Sequence, residues 1–109
     1  MMIIPKDAKQ IEVKKATVPF FEKDNILYFD TSETAIPQPM INALAGLELL
    51  ENYSKLVMIN HKIPLGLFPK IEIFFDYEVE EFENFVKVTF SKKKDILINL
   101  TNINSNCQG

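Results

Sequence analysis

Arginine is absent from this chain of 109 residues: all 12 basic side chains are lysine. No guanidinium fork is therefore on hand to grip a phosphate, a carboxylate or a guanine edge in bidentate fashion. With a formal net charge of −3, this argues against nucleic acid as a partner. Cysteine is nearly absent too. Cys107 stands alone, which excludes an internal disulfide framework and fits a reducing cytoplasm. Glycine is scarce, at 3 residues, while hydrophobic and charged residues make up an ordinary 47% and 25%. Whole-chain disorder, collagen and coiled coil are excluded by that balance. No apolar run approaches the ~20 residues that cross a bilayer. Met1 to Ile4 are apolar, but Pro5 and Lys6 end the run far short of a signal-peptide core. A single cytoplasmic domain with one modest core, off the membrane, is the expectation.

The hydropathy pattern gives the order of elements. Residues 1–24 are polar-rich, with Ile11 and Val13 alternating, and read as an arm or an edge strand. Ile26 to Phe29 is a compact strand signal closed by the polar residues Asp30 to Thr34. Met40, Ala43, Leu44, Leu47 and Leu50 follow helical spacing and form one apolar stripe. Pro37 and Pro39 fall where the first turn has no intrahelical acceptor to lose, so neither breaks that helix. Leu56 to Ile59 is unbroken by polar residues, as expected of a strand covered on both faces. A second helix is expected over Leu65 to Phe74. A hairpin follows, with Tyr77 and Val79 on one strand, a turn at Glu83-Asn84, and Val86, Val88 and Phe90 on the other. Ile96, Ile98 and Leu100 offer one more strand after Lys92-Lys93-Lys94. The fold class expected is α+β: a two-layer α/β sandwich in the order β-α-β-α-β-β, its mixed four- to five-stranded sheet covered by two helices on one face. The α/β domain is placed at 25–101, before a loose polar tail at 102–109.

The chemistry-bearing residues are few. In a parallel βαβ unit both strands end on the edge where the helix begins, and ligands in open α/β sheets favour such edges. That edge gathers Ile36, Pro37, Gln38, Pro39, Asn60 and His61 as candidate ligand or partner contacts. His61 is the sole histidine. It either bonds backbone within its loop or meets a ligand, with Asp30 or Glu33 as carboxylates that could orient it as a base. It lacks the partners of a zinc or iron site. No metal, no cofactor and no catalytic residue are assigned, and Cys107, in a polar tail, has no nearby cation to activate it. Asn52-Tyr53-Ser54 and Asn99-Leu100-Thr101 match the glycosylation pattern, which carries no meaning without a secretory leader. From Glu72 to Glu83 the chain is acid-rich and free of lysine. That stretch reads either as a solvated sheet face or as a docking surface for a basic partner.

Ile36-Pro37-Gln38-Pro39-Met40, followed by Leu44 and Leu47, resembles the Cys-Pro-x-Pro run that opens the first helix in the TusA/SirA-like sulfur-carrier superfamily. Asn60 to Ile71 resembles the His-x-x-Pro and Leu-Phe-Pro-x-Leu motifs of a bacterial branch of that superfamily whose function is unknown. The resemblance covers roughly Ile26 to Lys93 and implies the same β-α-β-α-β-β sandwich. The chain departs from it at two places. Ile36 stands where the carrier cysteine would be and cannot hold a persulfide, and Phe74-Phe75 replace a glycine after the second helix. The resemblance implies a small non-enzymatic accessory domain, beside redox or sulfur metabolism, that meets a protein partner or small ligand at the strand-end edge. A sulfur-carrier-like or His61-dependent enzyme and a structural or oligomerisation domain are the alternatives.

Overall fold

Six strands and two helices follow from the sequence in the computed structural model, which describes residues 4–93. The strands are β1 (Lys9–Ile11), β2 (Phe20–Lys23), β3 (Ile26–Asp30), β4 (Lys55–Asn60), β5 (Phe75–Glu81) and β6 (Val86–Lys92). Helix α1 (Gln38–Leu47) joins β3 to β4, and α2 (Phe68–Ile71) lies between β4 and β5. The sheet order is β1-β2-β3-β4-β6-β5. Only β3 and β4 run parallel; every other neighbouring pair is antiparallel. The fold is thus α+β with a mixed sheet of six strands, not the four or five expected.

The additional strands come from the first residues of the chain. β2 pairs with β3 through a two-residue turn at Asp24 and Asn25, both with positive φ, 55° and 68°. That left-handed pair matches the twist of a tight hairpin, and Asp and Asn tolerate it better than most residues. The boundary expected between residues 24 and 25 falls inside this turn.

Strand register sorts the side chains into two faces. Phe20, Phe29, Met58, Val88 and Val79 form one row toward the helices, and Leu27, Leu56, Phe90 and Tyr77 form the next. Phe20 and Phe29 stack with ring centroids 4.8 Å apart, and Phe68 of α2 stacks on Tyr77 at 3.9 Å. Both helices therefore cover the same face. Helix α1 buries Ala43, Gly46 and Leu47, with Leu50 buried just beyond it. Leu44, expected in that stripe, is 38% exposed. The reason is the angle of approach. A Cβ on Gly46 would lie 2.9 Å from both Leu56 and Phe20 side chains, so the helix presses its glycine edge, not Leu44, into the sheet.

The second helix is also shorter than expected. It spans Phe68–Ile71, with Pro69 in its first positions, while Leu65, Ile73 and Phe74 are exposed. Lys92 is the last residue of β6. Lys94, the strand expected at Ile96, Ile98 and Leu100, the Asn99 site, Cys107 and the tail 102–109 lie outside the described residues.

Candidate functional site

The parallel β3–α1–β4 unit builds one edge from the bottom up. Thr31 follows β3 and Asn60 ends β4, and both are fully buried. Thr31 N–H donates to the Ile59 carbonyl at 2.7 Å, and its hydroxyl lies 3.0 Å from Asn60 Oδ1. Asn60 Nδ2 donates to the Lys62 carbonyl at 2.9 Å. This network leaves the asparagine amide satisfied, as a buried amide requires. It also fixes the turn that projects His61 and Lys62, both exposed, from the end of β4.

Opposite this turn, Pro37 caps α1 with φ −100° and ψ 18° and makes no side-chain cap hydrogen bond, while the Gln38 N–H is taken by the Ala35 carbonyl at 2.9 Å. The two segments enclose a groove of about 390 Å³, within the range of small-ligand sites. Ile36, Pro37, Pro39 and Met40 form one wall, and the run from Asn60 to Leu67 forms the other. Ile36 and Leu65 rise on its rim, 75% and 71% exposed. The lining is apolar except for Asn60, His61 and Lys62, and Asn60 already spends its amide on the fold.

Of the residues expected to meet here, Ile36, Pro37, Pro39, Asn60 and His61 do so. Gln38 does not. Its side-chain oxygen accepts a hydrogen bond from the Thr17 hydroxyl, on the loop between β1 and β2. Its carbonyl accepts Asn42 Nδ2 at 2.8 Å, while buried Asn42 also accepts the N–H groups of Thr17 and Val18. Gln38 thus serves to tie that loop to the helix. Asp30 and Glu33 are not with His61 either. They line a second cavity, of about 590 Å³, together with Ile4, Phe21, Ile59 and Phe85. Asp30 Oδ1 accepts the Ser32 N–H at 2.8 Å, and neither carboxylate forms an ion pair with His61. The arrangement considered from sequence, His61 oriented by Asp30 or Glu33, is therefore not formed.

Sequence reasoning missed Met40 and the wall from Lys62 to Leu67. A signal was present: Ile63-Pro64-Leu65-Gly66-Leu67 is an apolar run broken by Pro and Gly, more than a solvated loop needs. Gly66 borders Met40, whose Cε would lie 3.7 Å from a Cβ placed there. Among the described residues no cluster of His, Cys, Asp and Glu is grouped to hold a metal ion, and no helix is long and apolar enough to cross a membrane. Comparison with family models, curated proteins and solved structures gives no match to this chain.

Proposed function

We propose that the chain is a small non-enzymatic accessory domain, TusA-like in its scaffold, that holds an apolar segment of a partner protein in the groove between Ile36 and Leu65. The observation that carries this reading is the convergence of apolar residues from two separate segments, Ile36, Pro37, Pro39 and Met40 with the run from Ile63 to Leu67, on one open groove. Exposed Ile36 and Leu65 give a partner apolar area at the rim. Lys62 and His61 stand beside it, so an acidic residue flanking the partner's apolar segment completes the match. The order β3-α1-β4-α2-β5-β6 and the prolines at the start of α1 support the TusA-like scaffold. Ile36 in the carrier position supports binding without sulfur transfer. A cytoplasmic role near redox or sulfur metabolism follows from the same resemblance.

The test is capture from a native extract by the immobilised full chain, run in parallel with Ile36→Asp, Leu65→Asp and His61→Ala. Both aspartate variants alter exposed side chains and should keep the melting temperature while losing the captured protein. The His61→Ala variant should weaken capture without unfolding. Retention of the same protein by both aspartate variants defeats the reading. So does a stability loss above about 2 kcal/mol in His61→Ala, which would mark the histidine as a bonded structural group.

A further inference from the structure

The sheet has one long open margin, and it lies along β5. This strand closes the sheet order and is paired only by β6 among the described residues. Two hydrogen bonds show which backbone groups face outward. Phe82 N–H donates to the Phe85 carbonyl at 2.8 Å, and Lys93 N–H donates to the Phe74 carbonyl at 3.2 Å. Bonded and non-bonded pairs alternate along an antiparallel ladder. With Phe82 and Phe74 in bonded pairs, the register assigns the bonds to β6 to Asp76, Glu78 and Glu80. The N–H and C=O groups of Phe75, Tyr77, Val79 and Glu81 therefore point away from the sheet. Such a row is a template for an extended segment.

The side chains of β5 say what that segment carries. Phe75, Tyr77 and Val79 lie on the helix face, half-buried against the core. Asp76, Glu78 and Glu80 stand exposed on the other face. Lys87 meets Glu80 at 3.4 Å, but Ser91 and Thr89, opposite Asp76 and Glu78, bring no charge.

We infer that the β5 margin binds, as an added strand, an extended segment of a partner protein in which apolar residues alternate with lysine or arginine. Its apolar residues lie beside Phe75, Tyr77 and Val79, and its cations lie beside Asp76, Glu78 and Glu80. Cross-strand neighbours of this kind sit about 5 Å apart, where opposite charges attract and like charges repel. A second copy of β5 is a poor occupant, because it would set carboxylates against carboxylates on the same face. Residues 95–109 of the chain contain Asp95 and no lysine, so they lack the cations that the acidic row selects. The margin shares no lining residue with the groove between Ile36 and Leu65, and only its last residue, Glu81, borders His61, across a separate shallow cavity.

The experiment titrates the isotope-labelled full chain with a peptide alternating lysine and valine, matched to the 7 residues of β5. A control peptide has the same composition with lysines and valines segregated. Amide exchange at Phe75, Tyr77, Val79 and Glu81 should slow about ten-fold or more on binding, as new strand pairing requires. The Val79→Pro variant removes an outward donor without breaking the β6 ladder and should weaken binding about ten-fold. The double change Glu78→Lys and Glu80→Lys should weaken it as much and flatten its salt dependence. The segregated peptide should bind about ten-fold more weakly than the alternating one. Equal binding of the two peptides overturns the inference. So does protection of these four amides before any peptide is added, whether by the chain itself or by a second copy, or a response centred on the His61 groove. Should Val79→Pro fail to fold, the charge-reversed variant and the exchange pattern decide.

Discussion

The two faces of β4 are buried to the same degree by different means. Leu56 and Met58 look toward the helices, and both are fully buried. Val57 and Ile59 look the other way, with no helix above them among the described residues, yet are almost as hidden. On the helix side the cover is interlocked: Gly46 of α1 lies directly over Leu56 and Phe20, and Phe29 stacks on Phe20. On the far side the cover is assembled from neighbours. Phe21, Tyr28 and Thr89 flank Val57 in one row. Ile59 opens onto the cavity that it shares with Ile4, Pro5 and Phe85. Equal burial therefore does not mean equal packing. One face is interlocked around Gly46, and the other borders a space that water can enter.

Truncation on the two faces should separate these cases, and it gives the largest effect expected. The Phe29→Ala change should cost about 3–5 kcal/mol, because the cavity it leaves is enclosed by Phe20, Met58 and the helix. The Ile59→Ala change should cost about 2 kcal/mol, near the low end for isoleucine, because solvent can fill the space vacated. Denaturant unfolding at unchanged m-value measures both. Equal costs would show the far face to be packed as tightly as the helix face, and the comparison would break there.

Much of this was legible in the residues. The strand at Ile26 to Phe29, the helix opened by prolines and the unbroken strand at Leu56 to Ile59 followed from period and turn chemistry. The groove followed in outline, because strand ends and a helix start must share an edge in a parallel unit. What did not follow came from contacts distant in sequence. Phe20 to Lys23 is too short and polar to announce a strand, although Asp24-Asn25 was its turn signal. Gln38 was drawn from the groove by Thr17, a residue on another loop. The two-sided burial of β4 was legible, but not that its far cover would be side chains of neighbouring strands and an incoming segment in place of a helix.

Leu44 sharpens the comparison from the helix side. Helical spacing alone places it in the buried stripe, where truncation would cost about 2–4 kcal/mol. The close approach at Gly46 rotates it outward, so Leu44→Ala should cost less than about 1 kcal/mol, as partly exposed truncations do. Alanine is also the better helix former, which offsets part of the loss. Chemical denaturation of this variant beside Leu47→Ala reads the orientation of the helix directly. A larger loss at Leu44 than at Leu47 would rotate the helix back to the stripe that periodicity expects and remove the reason for Gly46.

The smallest effect is electrostatic and belongs to the far face. Tyr28 lies there, between Phe21 and Val57. Its phenol is held above the usual value of 10.0, first by partial burial and then by the charge of Asp24, with Lys23 acting in the opposite sense. Burial disfavours the phenolate, so the folded chain prefers the neutral ring more strongly than the unfolded chain does. The sign follows. The contribution to stability is complete below pH 10.0 and is lost as pH rises through the raised folded value. Ultraviolet titration of phenolate should therefore show a late-ionising group that disappears in Tyr28→Phe, while stability near neutral pH changes little. A Tyr28 that ionises at or below its usual value would mean that the far face is fully wet around this row. Val57 would then owe its burial to the backbone of the sheet alone, and the contrast between the two faces would be sharper than the side chains now make it.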